Sequence, residues 1–331
     1  MLLLILCGGN SPAESRECGE AGMSDQVFIT GAAGLVGQNL IPHLKAQGFR
    51  IVAADKHAEN LAVLRSMHPD IEVIEADLAE PGPWEETLAQ SERAVFLHAQ
   101  IGGLTEDEFI QNNIVATERC LKAMKGGRTR FLVHVSSSVV NSMADDFYTR
   151  TKLAQEDLVS RDGIKCCILR PTLMFGWFDR KHLGWLKRFM ETAPVFPIPG
   201  NGRYLRQPLY GGDFSAIVGS ALHNQIEGVY NISGQERVDY LDLIQRIKSV
   251  NEIRTPIIKI PYWLFHYLLV VYSVFDKNPP FTTHQLKALV TPDIFEVIDW
   301  PEIFGVPATP LDDALRQTFK HPEYSKISLK F

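Results

Sequence analysis

The chain has 331 residues, 45% of them hydrophobic, and a formal net charge of -6. That much apolar material can bury a large core, which excludes a disordered chain, and mixed charge without a Lys/Arg-rich run excludes a nucleic-acid-binding surface. The five cysteines, Cys7, Cys18, Cys120, Cys166 and Cys167, show no C-x-x-C spacing and no neighbouring His cluster, so reduced thiols, a cytoplasmic location and no bound metal are expected.

Residues 1–22 read as foreign to the rest of the chain. MLLLILCGG is shorter than a signal-peptide core and lacks the positive flank, so an extension ahead of a true start at Met23 is expected. From there apolar runs alternate with helical patterns. QVFIT (26–30) is a strand, and NLIPHLKAQG carries Leu40, Ile41 and Leu44 at helical spacing before a stop at Gly48. FRIVAAD, IEVIEAD and AVFLHAQ come next as strands, then a helix from Glu106 to Lys125, the strand RFLVHVSSS, a helix beginning near Phe147 and the strand IKCCILRP. Strands apolar throughout and separated by helices define an α/β fold, a Rossmann-type doubly wound parallel sheet covered on both faces. The expected division is a dinucleotide-binding domain over 23–175 and a smaller substrate-binding lobe over 176–331, interleaved because its elements return to the Rossmann core.

The glycines place the nucleotide. Gly31, Gly34 and Gly37, with Leu35 and Val36 between the last two, come directly after the first strand and open a helix, where bare backbone N–H groups can approach a pyrophosphate. Asp55 closes the second strand about 20 residues further on, where a carboxylate accepts the adenosine ribose hydroxyls and repels a 2′-phosphate. NAD is therefore expected over NADP, with Lys56 next door as the one opposing feature.

The stretch SSSVVNSMADDFYTRTK (136–152) has two readings from its residues alone. Tyr148 and Lys152 share one helix face, as a proton-transfer pair would, but a solvated surface pair four residues apart has the same spacing.

Together these motifs resemble the extended short-chain dehydrogenase/reductases, in particular the NAD-dependent sugar-nucleotide epimerase/dehydratase group, over roughly residues 26–233. The resemblance rests on TGAAGLVG, the Asp77-Leu78 pair, NNIVAT with Asn113, SSS ahead of Y-x-x-x-K, and LRPTLMFG. It implies that Asp77 and Leu78 flank the adenine and that Asn113 supports the cofactor-side helix. It implies a catalytic set of Ser138, Tyr148 and Lys152, with Ser137 as the alternative serine. The phenol of Tyr148 would act as acid/base, favoured as phenolate by the neighbouring ammonium and by oxidised nicotinamide. Lys152 would also hold the nicotinamide ribose. A homodimer through the helices carrying Asn113 and Tyr148 is implied as well. HAQ (98–100) departs from the family's alanine-rich turn, so no site residue is assigned there. Val139 and Val140 stand where dehydratases carry an acidic pair, which disfavours dehydration. The nine residues between Ser138 and Tyr148 are fewer than is usual.

In the second half, Arg206 matches the family's arginine for the substrate diphosphate, and Asp213 reads as a structural N-cap. GVYNIS returns as a strand, and YLDLIQRIKSV is amphipathic. YWLFHYLLVVYSVF (262–275) is too short to span a bilayer, leaving a buried helix, a peripheral membrane contact or a subunit interface. The expected activity is NAD-dependent epimerisation or 4-keto reduction of a nucleotide-activated sugar, a small-molecule substrate. Its rivals are a hydroxysteroid-like dehydrogenase of an apolar or lipid-linked alcohol and a non-catalytic NAD(H)-binding subunit.

Overall fold

The computed structural model describes residues 25–142, 146–275, 282–290, 296–327 and 329–330; the proposed extension over 1–22 lies outside them. Seven parallel strands form the main sheet: β1 (Gln26–Thr30), β2 (Arg50–Asp55), β3 (Glu72–Glu75), β4 (Arg93–Phe96), β5 (Phe131–Val135), β6 (Cys166–Pro171) and β7 (Gly228–Ile232). Their order is β7-β6-β5-β4-β1-β2-β3. Strand alternation sends successive side chains to opposite faces. Val27, Ile29, Ile51 and Val95 thus join one core, and Phe28, Val52, Ala94 and Phe96 the other. Two buried faces explain why the middles of the inner strands are apolar on both sides.

The helices Leu35–Ala46 and Gly211–Asn224 cover the first face, through Leu40, Leu44, Phe214 and Ile217 among others. Leu88, Cys120, Leu121 and Val159, from three further helices, cover the second. The chain leaves β1 toward β2 and β3, then crosses back to β4 on the opposite side of β1. That reversal opens a crevice at the carboxyl ends of β1 and β4, where ligands of such sheets bind.

A third core, built from Phe175, Leu183, Met190, Ile198, Tyr240, Ile244 and Leu315, lies in the C-terminal half. From the C-terminal half, β7 pairs with β6 in the main sheet. The C-terminal tail also returns: Asn60 exchanges hydrogen bonds of 2.7 and 2.9 Å with the backbone of Lys330.

Three expectations change. The single helix from Glu106 to Lys125 is Glu106–Phe109, a π-helical turn Ile110–Val115 and Ala116–Met124. Asp213 lies inside the first turn of its helix, whose N-cap is Tyr210, and accepts hydrogen bonds from Thr309 N and Oγ1 instead of capping. The helix Tyr262–Phe275 is not buried: Trp263 is 70% and Tyr267 61% exposed. No helix among the described residues is long and apolar enough to cross a membrane.

Candidate cofactor and catalytic site

The glycine turn after β1 is shaped by what its backbone touches. Gly31 has φ +64°, and an added Cβ would sit 2.8 Å from the His98 nitrogen. Gly37 lies flat on the turn, where a Cβ would come within 2.4 Å of the Ala32 carbonyl oxygen. Gly34 caps the next helix with no side-chain hydrogen bond. The turn therefore leaves a bare helix N-terminus facing the crevice, the cradle that a dinucleotide pyrophosphate requires.

Asp55 is buried, and its carboxylate is anchored at both oxygens: Oδ2 accepts from Ala33 N at 2.9 Å and Oδ1 from His57 N at 3.0 Å. The adenosine end of the cradle is thus tied to the glycine turn by the same group expected to accept ribose hydroxyls. Lys56, the feature opposing NAD, donates to Asn112 Oδ1 at 2.5 Å and lies 3.5 Å from Asp77 Oδ2. Asp77 Oδ1 accepts from Ala79 N.

A cleft of about 630 Å³ runs from this turn across the sheet edge. Gly31, Gly34, Leu35, Val36, Asp55, Asp77, Leu78, Ser138, Tyr148 and Lys152 line it. Gly37 acts through its packing on Ala32. Asn113 also stands behind the wall, fully buried in the π-helical turn. Its Oδ1 accepts from Gln100 N at 2.6 Å, and its Nδ2 donates to Gln100 O and Thr151 Oγ1. It couples the turn after β4 to the helix Phe147–Asp162.

That helix carries Tyr148 and Lys152. Asp146 caps it, its Oδ1 accepting from Thr149 N at 2.7 Å. The serine whose hydroxyl acts on the Tyr148 phenol is Ser137, the alternative to Ser138. The reason is local: Ser137 is still extended, with φ -156°, while Ser138 has entered a 3-10 turn, so adjacent serines present different faces. Burial pushes the Tyr148 phenol up, Ser137 partly offsets this, and Asp146 adds to the rise. The phenolate expected from a neighbouring ammonium is therefore not what the protein alone favours. Lys152 is fully buried, and desolvation pulls it down to about 7, with Glu156 opposing.

Arg206 is not among the residues lining this cleft. It lies on a short strand paired with Val238, and its guanidinium donates to the carbonyl oxygens of Leu205 and Leu289. The cleft instead presents Ile101, 68% exposed, and Leu173, 42% exposed, beside Val139, Pro171 and Met174. Arg180, Lys181 and His182 edge it on a turn held by Asp179, whose carboxylate accepts from three backbone N–H groups. Sequence reasoning missed Gln155 and His98. The visible signal for His98 was a histidine inside an otherwise apolar strand end.

Fold and site together define a dinucleotide-binding protein whose cleft is lined by a tyrosine and a buried lysine one helical turn apart. The chain belongs to the NAD dependent epimerase/dehydratase family, whose model matches residues 27–233, and its cofactor is NAD. It is 27% identical over 244 residues to the 3 beta-hydroxysteroid dehydrogenase/Delta 5-->4-isomerase of Mycobacterium tuberculosis, covering 64% of this chain and 62% of that protein. It is likewise 27% identical to the ceramide reductase of Caulobacter vibrioides, over 52% of this chain and 53% of the relative. The match thus spans roughly half to three-fifths of these relatives' length. The UDP-glucuronic acid 4-epimerase of Bacillus cereus, solved with NAD, shares the fold at a TM-score of 0.68 and 20% identity, over 89% of this chain and 96% of that one.

Proposed function

We propose that this protein transfers hydride between NAD and a secondary alcohol or ketone of an apolar, lipid-type substrate. The observation carrying the reading is the substrate end of the cleft, where Ile101 and Leu173 expose apolar side chains while Arg206 is engaged with Leu289. An apolar wall of this kind suits a hydrocarbon skeleton rather than a hydroxyl-rich ring. The relatives named for hydroxysteroid and ceramide chemistry support the same choice.

NAD supplies the hydride acceptor or donor. Its pyrophosphate would rest on the Gly31–Gly37 turn and its adenosine ribose against Asp55. Tyr148 takes the hydroxyl proton as the carbinol carbon loses hydride, or returns it in the reverse direction, and Ser137 orients the substrate oxygen. Because burial disfavours the phenolate, proton abstraction depends on positive charge brought into the cleft, from Lys152 and from oxidised nicotinamide.

The helix Tyr262–Phe275 extends the reading to a peripheral membrane contact. Its outer stripe of Trp263, Tyr267, Val270 and Val271 is apolar with aromatic tips, as at a bilayer interface. A homodimer through the helices carrying Asn113 and Tyr148 belongs to the same proposal.

One observation favours a second reading, epimerisation or reduction of a nucleotide sugar: the basic run Arg180, Lys181 and His182 at the cleft edge suits a diphosphate. A single assay separates the two. Purified protein with NAD would be offered 3β-hydroxysteroids, long-chain amino alcohols and a panel of UDP-sugars, following reduced-nicotinamide absorbance and anomeric proton NMR. Net NADH with an apolar alcohol is expected. New anomeric signals without net NADH would replace this reading with the epimerase.

A further inference from the structure

Lys152 has three N–H bonds to place inside the protein. Its Nζ donates to Val135 O at 3.0 Å and to Gln155 Oε1 at 2.7 Å. One N–H therefore remains for the cleft that Lys152 lines. Gln155 is itself fully buried, and its other end fixes which way the amide points. Gln155 Nε2 donates to Thr117 Oγ1 at 2.8 Å, while the single proton of Thr117 goes to Asn113 O at 2.6 Å. The Thr117 oxygen is thus an acceptor for both remaining neighbours. His98 Nε2, 2.9 Å away, must donate to it, which leaves His98 Nδ1 to accept from Thr30 Oγ1 at 2.7 Å. Desolvation, with Lys152 adding to it, holds His98 down to about 3 and keeps it neutral.

We infer that Gln155 is a positioning residue for Lys152: held by Thr117, which His98 and Asn113 fix in turn, its carbonyl oxygen keeps the ammonium charged and its spare N–H directed to the cofactor's ribose. This rests on the assignment of Lys152 to NAD, and not on the nature of the substrate. Of the other titratable groups around Lys152, Glu156 favours the ammonium through its charge but accepts no hydrogen bond from it. Tyr148 and Glu156 share its helix, and Glu156 is committed to Arg170 in an ion pair of 2.6 Å. From the sheet it faces His98 and His134, both neutral, and burial holds His134 far below its ordinary value. Gln155 is the side chain that accepts from the ammonium directly.

The test is coenzyme affinity against pH, read by the fluorescence of bound reduced NAD, in the full chain and in Gln155→Met, Gln155→Glu and Lys152→Met. Wild-type affinity is expected to fall as pH rises through about 7, where Lys152 loses its proton. A hydrogen bond to a charged group is large enough that Gln155→Met should move that midpoint down by roughly one to two pH units. Near neutral pH, affinity should then be about tenfold weaker, whereas Gln155→Glu moves the midpoint up. Lys152→Met removes the step. Superimposable wild-type and Gln155→Met profiles, with both proteins folded by circular dichroism, would overturn the inference, as would a wild type with no step. A step that survives Lys152→Met would overturn it differently, by showing that Lys152 is not the group NAD senses.

Discussion

Replacing His134 with leucine should make the protein more resistant to acid. His134 lies in β5, wholly buried, edge-on to Phe96 at 6.5 Å, with no hydrogen-bond partner for either ring nitrogen among the described residues. Burial, with the charge of Lys152 and the proximity of His98 adding to it, lowers its pKa far below 6.5. Between 6.5 and that folded value the unfolded chain binds a proton that the folded chain refuses, so stability is lost as pH falls. At pH 5.5, one unit below the unfolded pKa, the loss is about 1.4 kcal/mol; at pH 7.5 it is below about 0.1 kcal/mol. His134→Leu removes this term at both pH values, whatever the substitution costs in packing, since that cost is the same at each. Urea unfolding at the two pH values should therefore show wild type losing about 1.4 kcal/mol more than the variant on acidification. Equal losses would mean that His134 is protonated or solvated in the folded protein, and the description of this buried site would fail.

The same geometry sets three other outcomes. Tyr148→Phe should lower turnover by about 10²–10⁴-fold with NAD affinity retained, measured by steady-state kinetics and coenzyme titration; retained turnover would remove Tyr148 from the mechanism. Ser137→Ala should reduce kcat more than Ser138→Ala, because Ser137 is the serine whose hydroxyl acts on the Tyr148 phenol; the reverse order would favour Ser138. Gly37→Ala forces a methyl against the Ala32 backbone and should destabilise by about 1–3 kcal/mol and weaken NAD binding, checked by thermal unfolding with and without coenzyme.

Much of the molecule was legible in the chain itself. Period and composition specify the strands, because a parallel strand buried on both faces is predominantly apolar on both sides, as Val27, Phe28 and Ile29 are. Gly31 and Gly37 were readable because no other residue fits a turn pressed against His98 and Ala32. Asp55, Tyr148 and Lys152 were readable because their spacing from those elements is fixed by helix and strand geometry. Contacts between distant segments were not. How Ser137 and Ser138 divide the cleft between them depends on where the extended strand gives way to a 3-10 turn. Arg206 carried a recognisable pattern, but its direction is set by the Leu289 carbonyl, 83 residues away. The buried chain from Thr30 through His98, Thr117 and Gln155 to Lys152 joins four segments, so no local spacing announces it. Local periodicity encodes which elements form and which backbone positions must be bare. Which polar groups meet in the core, and hence which of them can hold a charge, is decided only when the crossovers bring those segments within hydrogen-bonding distance.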